Sequence, residues 1–397
     1  MASDTTATEL LDIVGQDAAV LQLQRGLAGE RRPHAYLFAG PAGVGRRTTA
    51  VAFARMLLCE DPGARPNAGR FDALEDDATL RQACGACESC RMMDAGSHPD
   101  FHPVYKELAR YHEAREVRER VMQDLGIPVI RRFLIAPAGR RASRGRGKVF
   151  VVLESELMSP AAQNALLKTL EEPPGGVTIV LICRHPDRML ATTRSRCCLV
   201  RFGPLPREFV RRRLSAESVA EAEADFWAAF TGGSVGRAMR LAEQAMYPIK
   251  RDLLDRLTTL DAAGQSALGD HLAKTSDKLA AQAVADARGA DGALLAKNLA
   301  TRRASGVMLE LLASAFRDAI TLATGADRPL VHADQPSAPA ALAERFGPTQ
   351  LAEIIEQLSR YERLLWRNVN PKTVWDNVVV TCASAAPLRL REGLSLT

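Results

Sequence analysis

One stretch near the N-terminus constrains the fold more than any other. Ala35–Ala39 is a short apolar run of strand type that leads into Gly40-Pro41-Ala42-Gly43-Val44-Gly45-Arg46-Arg47-Thr48, after which Thr49–Leu58 has helical character. Strand, glycine loop and helix in that order make a cradle whose backbone N–H groups can wrap a phosphate at a helix N-terminus. In a working loop of this kind the residue after the third glycine is a lysine that reaches the β and γ phosphates, and the next is a Ser or Thr that holds magnesium. Here they are Arg46 and Arg47. Arg46 can still pair with phosphate oxygens, whereas Arg47 offers no oxygen and puts a cation where a cation should bind. Gly40, Gly43, Gly45 and Arg46 are therefore cofactor-binding candidates in a degenerate phosphate loop: ATP binding is doubtful and magnesium-assisted hydrolysis is disfavoured. A glycine-rich turn with no nucleotide role is the alternative.

Further strands of the same type are expected at Val149–Leu153, Val177–Cys183 and Cys198–Phe202, alternating with helical segments. That alternation predicts an α/β domain with a parallel sheet and helices on both faces. A hydrolysing loop is partnered by a strand ending in Asp, usually followed by Glu. Leu153 stands in the Asp position and cannot hold magnesium, while Glu154 is either a relic of the water-activating acid or a solvated strand-end residue. Ser159 and Pro160 are a helix start, Ala162, Leu166 and Leu170 recur every four residues, and Pro173-Pro174 ends the segment. After Pro204 the strand signal gives way to Ala-, Leu-, Arg- and Glu-rich helical periodicity. The expected domains are 1–203, a small helical lid over 204–244 and an all-α domain over 245–397. Within the last, Ala326–Ala340 is expected to be a loop, and Val374, Val378 and Cys382 favour helix over the strand propensity of Val378-Val379-Val380-Thr381.

A length of 397 residues suits two or three domains, and 47% hydrophobic with 25% charged residues suits a folded rather than disordered or membrane-embedded chain. No apolar run approaches the roughly 20 residues that span a bilayer and no signal segment opens the sequence, so the expected location is cytoplasmic with no membrane partner. In that setting, eight cysteines point to metal ligation or core packing before disulfides. Cys84, Cys87 and Cys90 form C-x2-C-x2-C, and Cys59 ends the helix after the glycine loop. Four thiolates can close a tetrahedral structural zinc site. The 24 residues Glu60–Ala83 separate the first two ligands, and loop-closure entropy grows too slowly with length to forbid the site. Unligated thiols, or three ligands without Cys59, are the alternatives. His98 and His102 are possible substitutes, read instead as packing residues, and Cys183, Cys197, Cys198 and Cys382 as small core residues.

The net charge of +5 is too small for an overall electrostatic glove around DNA. Arg131–Lys148 nevertheless holds seven cations and no acid, and with Ser143, Gly145 and Gly147 it is expected to be a mobile loop. Such a run can touch DNA phosphate or an acidic neighbour, or be merely solvated.

The stretch Ser159-Pro160-Ala161-Ala162-Gln163-Asn164-Ala165-Leu166-Leu167-Lys168-Thr169-Leu170-Glu171-Glu172-Pro173-Pro174 resembles the signature of bacterial clamp-loader AAA+ subunits of DNA polymerase III. Val14-Gly15-Gln16, His34–Phe38, Ser97-His98-Pro99-Asp100, Thr193-Arg194-Ser195-Arg196-Cys197 and Asn368-Val369-Asn370-Pro371 extend the likeness over most of the chain in family order. The resemblance implies an AAA+ domain, a helical lid and a helical collar, and a four-cysteine zinc module that in this chain carries a longer insertion. Arg46, Arg47 and Leu153, with Cys183 near the polar sensor and Gly236, beside Arg237, where a lid would offer a sensing arginine, are similar to the delta-prime branch, a stator that hydrolyses no ATP. Ser195-Arg196-Cys197 survives, which implies that Arg196 is an arginine finger acting in trans on a neighbour's phosphate. The implied partners are the gamma/tau ATPase subunits, a delta subunit and, indirectly, the sliding clamp and primer-template DNA. Trp366, Asn368, Asn370 and Trp375 would pack in the ring of collar domains, with an intramolecular core role the favoured alternative for both tryptophans. No intrinsic ATPase activity is expected, and no carboxylate constellation for nucleotidyl transfer is present, so a polymerase label would describe the holoenzyme. An active gamma/tau-like ATPase, or a zinc-stabilised DNA-binding protein outside any clamp loader, are the alternatives.

Overall fold

The computed structural model describes residues 9–29, 32–118, 124–260, 265–289, 297–367 and 369–383, so Asn368 and the segment after Ala383 lie outside the described residues. By their contacts the residues group into two compact units: the chain up to Pro206 together with Gly233–Arg237, and Arg207–Gly232 together with Ala238 onward.

In the first unit, helix α1 (Asp17–Ala28) precedes β1 (Ala35–Ala39), and α2 (Arg46–Leu58) follows the glycine loop. A hairpin of β2 (Gly63–Pro66) and β3 (Thr79–Gln82) comes next, then α3 (Glu88–Asp94) and β4 (Phe101–Val104). Then come β5 (Lys148–Val152), α4 (Pro160–Glu171), β6 (Val177–Cys183) and β7 (Cys198–Arg201). Five of these strands form one parallel sheet in the order β4-β5-β6-β1-β7. Every residue of β1, β5 and β6 is buried, which is why these strands read as near-continuous apolar runs, with Lys148 and Thr178 the exceptions: a parallel sheet is covered on both faces. Leu37, Phe150, Val152, Ile179 and Leu181 pack on one side against Ile130, Leu134, Ala162, Leu166 and Leu170. Side chains alternate across a strand, so Tyr36 points the other way, to an edge-to-face contact with Phe53 of α2 at 5.1 Å. Ser159 caps α4 by accepting from the Ala162 N–H at 3.2 Å, and Pro160 occupies the first turn as expected.

β4 and the β2–β3 hairpin were not among the expected strands. β4 contains His102 and Pro103 and lies at the sheet edge, where a missing N–H is tolerated. The basic stretch is also not one loop. Ile127–Ile130, Arg131–Ile135 and Ala136–Ala138 follow one another as α, π and α turns, burying Ile130, Leu134 and Ala138. Only Gly139–Gly147 is irregular.

The second unit is helical: α5 (Arg207–Ala216), α6 (Glu221–Phe230), most of α7 (Val235–Glu243), α8 (Met246–Thr258), α9 (Gln265–Gly289), α10 (Lys297–Thr324), α11 (Ser337–Arg345), α12 (Pro348–Trp366) and α13 (Pro371–Ala383). α13 is helical despite its β-branched run, because Val374, Trp375, Val378 and Cys382 make one buried face. The expected loop over Ala326–Ala340 ends early: α11 begins at Ser337 and admits Pro339 in its first turn, where a missing N–H costs no helical bond. Between the helices Lys250 is fully buried, ion-paired to Asp334 at 2.6 Å and 4.3 Å above the Phe226 ring. A parallel five-stranded sheet carrying a phosphate-type loop, followed by a helical region, is the AAA+ architecture expected from the sequence.

Candidate functional site

The glycine loop has the backbone of a phosphate cradle. Gly40, Gly43 and Gly45 have φ of 155°, 72° and 97°, in the region that favours glycine. Two of them are also crowded. A Cβ on Gly40 would lie 2.3 Å from the Phe202 carbonyl oxygen, and one on Gly43 would lie 2.3 Å from Ser234 Oγ. The segment Gly233–Arg237 is hydrogen-bonded to this loop: Ser234 Oγ donates to Ala42 O at 2.7 Å and Gly236 N to Gly43 O at 3.0 Å. Gly236 is thus a backbone prop on the glycine loop, with Arg237 directly after it.

Arg46 opens α2 but its side chain is buried, with Nη1 donating to the Cys183 carbonyl at the end of β6. Burial depresses its pKa, against the opposing pull of the Glu156 carboxylate. Arg47 is exposed. Glu154 follows the β5 strand in a left-handed conformation (φ 49°), and its carboxylate is taken by Lys106 at 3.0 Å and Arg184 at 2.8 Å. Burial works to raise its pKa, but the Lys106 and Arg184 cations outweigh that and hold it below the usual carboxylate range. Glu154 is therefore an ion-paired strand-end residue. Arg184 and Lys106 had no signal of their own in the sequence.

Arg196 lies after the short helix Ala191–Arg194 and before β7, partly exposed. Its Nε donates to Glu171 Oε1 at 2.6 Å and its Nη1 to the Thr192 carbonyl at 2.9 Å, so a residue of the signature helix α4 orients the guanidinium. Arg46 and Arg196 make no contact with each other.

The structure does bring the four cysteines together. The sulfur atoms of Cys59, Cys84, Cys87 and Cys90 all lie within 4.8 Å of one another. Cys59 and Cys84 sulfurs are 3.5 Å apart and Cys59 and Cys87 3.9 Å, close to the roughly 3.8 Å edge of a tetrahedron with Zn–S bonds of about 2.3 Å. The β2–β3 hairpin explains how 24 intervening residues are accommodated: Gly63 pairs with Gln82, so the insertion leaves and returns at one place. Backbone N–H groups of Cys84, Cys87 and Cys90 donate to the sulfurs of Cys59, Cys84 and Cys87 at 3.3, 3.3 and 3.4 Å, an arrangement suited to thiolates. Burial works to raise the Cys87 thiol, but N–H donors from Glu60 and Cys90 and the neighbouring thiols bring it down to about 6. Burial pushes Cys59 and Cys90 up. This donor set fits a soft divalent ion with no open position. His98 does not join it: Nε2 meets Ser89 Oγ at 3.2 Å and Nδ1 accepts from Asp100 N at 3.1 Å. His102 stacks on Phe150.

Of the remaining cysteines, Cys183 and Cys382 are buried and Cys197 and Cys198 partly so. Trp375 is core, while Trp366 is half exposed. No helix among the described residues is long and apolar enough to cross a membrane.

Comparison with known proteins gives two successive family matches: "DNA polymerase III, delta subunit" over residues 15–206, and "DNA polymerase III, delta subunit, C terminal" over residues 278–378. Among curated relatives, DNA polymerase III subunit delta' of Pseudomonas aeruginosa is 36% identical over 57% of this chain and 61% of the relative. The delta' subunit of Escherichia coli is 31% identical over 57% of this chain and 60% of the relative. DNA polymerase III subunit tau of Escherichia coli is 31% identical over 59% of this chain and 32% of the relative. The matches thus span about three fifths of the length of the two delta' relatives.

Proposed function

Because the chain belongs to the delta' family of DNA polymerase III clamp-loader subunits, we propose that it is a non-hydrolysing stator that completes a neighbour's ATPase site. One contrast carries this reading: the loop's own guanidinium, Arg46, is turned into the protein onto Cys183 O, while Arg196 is held at the surface by Glu171. In trans, Arg196 would stabilise the charge that develops on a γ-phosphate bound by a gamma/tau-type subunit. Arg47 and Leu153 support the absence of hydrolysis in this chain, since neither offers an oxygen to magnesium.

The stator assembles with gamma/tau ATPase subunits and a delta subunit to place a sliding clamp on primer-template DNA in the cytoplasm. Residues 1–203 act as the AAA+ body, 204–244 as the lid and 245–397 as the collar. Cys59, Cys84, Cys87 and Cys90 hold zinc, which cross-links the end of α2 to α3 and takes no part in the chemistry.

The test is reconstitution with the ATPase and clamp-opening subunits. Arg196→Ala is expected to lower ATP turnover by about a thousandfold or more, the range of other arginine fingers supplied in trans, with assembly unchanged by gel filtration. Undiminished turnover and clamp loading would remove the finger role. Magnesium-dependent ATP hydrolysis by the isolated chain, at a rate typical of an active loader subunit, would remove the stator role.

A further inference from the structure

The irregular segment Gly139–Gly147 contains four arginines, and the structure separates one of them from the other three. Its middle is held from below by Asp100, a fully buried carboxylate that accepts the N–H groups of Ser143 and Arg144, each at 2.8 Å. Arg144 then turns its guanidinium to the cysteine module, donating to Glu60 at 2.6 Å and Glu88 at 2.5 Å, the residues that follow Cys59 and Cys87. The base of the loop is closed where Lys148 Nζ donates to the Pro137 carbonyl at 2.9 Å. A Cβ on Gly147 would lie 2.2 Å from the Gly176 carbonyl oxygen, so backbone meets backbone there as well.

Arg140, Arg141 and Arg146 share none of these duties. All three are exposed, and among the described residues their side chains have no hydrogen-bond or ion-pair partner. The acids nearest in the network, Glu60 and Glu88, are already engaged by Arg144. The loop therefore displays three unneutralised guanidinium groups on a backbone that is tied at its centre and its base. Ordering in advance lowers the entropic cost of binding.

The composition of the loop selects the partner. Protein interfaces are anchored by apolar and aromatic side chains at their centres, and Gly139–Gly147 offers only Ala142. Charge without an apolar anchor suits a polyanion, and arginine forks match phosphate oxygens in pairs. Arg140 and Arg146 are six residues apart in sequence, a reach of at most about 20 Å at 3.3–3.6 Å per residue, over which one strand of duplex DNA presents about six phosphates. We propose that Gly139–Gly147 is a phosphodiester-binding loop through which Arg140, Arg141 and Arg146 hold the backbone of nucleic acid without reading its sequence. The proposal goes beyond the stator role and does not depend on it.

The experiment uses the full chain and a fluorescein-labelled primer-template duplex, with anisotropy titrations from 50 to about 200 mM salt, the range over which phosphate contacts reveal themselves. Arg140→Ala/Arg141→Ala/Arg146→Ala is expected to bind at least about tenfold more weakly at low salt and to lower the slope of log affinity against log salt by about 2 to 3, given about 0.9 per phosphate contact. The three side chains are exposed and make no hydrogen bond or ion pair among the described residues, so the melting temperature should barely move. The triple Lys variant should keep most of the slope. The proposal is overturned if the wild-type chain shows no binding at low salt, or if the triple Ala variant keeps its affinity and slope. It is also overturned if that variant keeps DNA binding but loses a clamp-loader subunit, which would assign the loop to an acidic protein. Neither ATP nor a neighbouring subunit is needed, so failure here leaves the role of Arg196 standing.

Discussion

The glycine loop and the cysteine cluster lie at the two ends of helix α2, and they have kept opposite things. The loop keeps its backbone, with Gly40, Gly43 and Gly45 in glycine-favouring conformations, yet has lost the lysine and hydroxyl that do the chemistry. The cluster keeps its four chemically active side chains although the backbone between the first two has grown a hairpin. The difference teaches that a glycine pattern can persist for reasons of packing. Gly40 and Gly43 are needed because Phe202 and Ser234 leave no room for a Cβ, whether or not a phosphate ever binds. Cys59 and Cys90 are also buried against Ala83, but exposed Cys84 has no such second reason: its place suits an ion it could hold, not packing.

The sharpest way to break this contrast is Cys84→Ser. Metal content, measured by plasma mass spectrometry, should fall from about one zinc per chain to nearly none, and the unfolding midpoint should drop strongly, because a structural zinc contributes roughly 10–16 kcal/mol even to small peptides. An unchanged midpoint would demote the cluster to idle thiols. Next comes Gly43→Ala, which adds both a left-handed strain and an overlap with Ser234. It should destabilise the first unit by about 2–5 kcal/mol in urea unfolding without nucleotide present. Gly45→Ala, where nothing lies within 4 Å of the added Cβ, should suffer the strain alone, about 1–2 kcal/mol. Equal effects at the two glycines would refute the packing explanation.

The smallest effect is expected at Glu154→Gln. The carboxylate's pKa lies below its ordinary value in the folded chain, so its pairing with Lys106 and Arg184 contributes above that ordinary value and is lost as pH falls through the lowered one. The pair is partly exposed, so the gap between wild type and variant should be under about 1 kcal/mol at neutral pH. It should close as pH falls through the lowered pKa, where the native carboxylate takes up its proton. A gap that widened in acid would show that the ion pairs do not stabilise the strand end.

The sequence made the central strands legible because β1, β5 and β6 are covered on both faces and so are almost wholly apolar, Lys148 and Thr178 apart. β4 was hidden by the His and Pro that an edge strand can carry, and β2 by its exposure, since none of Gly63–Pro66 is buried. The turns before the basic loop were hidden by charge: Arg131 and Arg132 obscured Ile130, Leu134 and Ala138, whose four-residue spacing is helical and all of which are fully buried. At the candidate site, the spacing of Cys84, Cys87 and Cys90 announced itself, and the place of Cys59 followed from the helix it ends. The inward turn of Arg46 was not readable, because its acceptor Cys183 is 137 residues away and is brought alongside only when β1 pairs with β6. The Lys250–Asp334 pair is hidden in the same way, its partners 84 residues apart and neither in a motif.

The hairpin in the cysteine module has one more consequence. Because its two strands bring Gly63 and Gln82 face to face, chain added beyond them need not separate Cys59 from Cys84. The exposed central residues of its Phe71–Leu74 turn, Asp72 and Ala73, are a natural splice point where added chain costs little, about 0.6 kcal/mol for each doubling of the loop. A peptide tag or fluorophore grafted there would report on the protein inside an assembly while the cysteines stay in register.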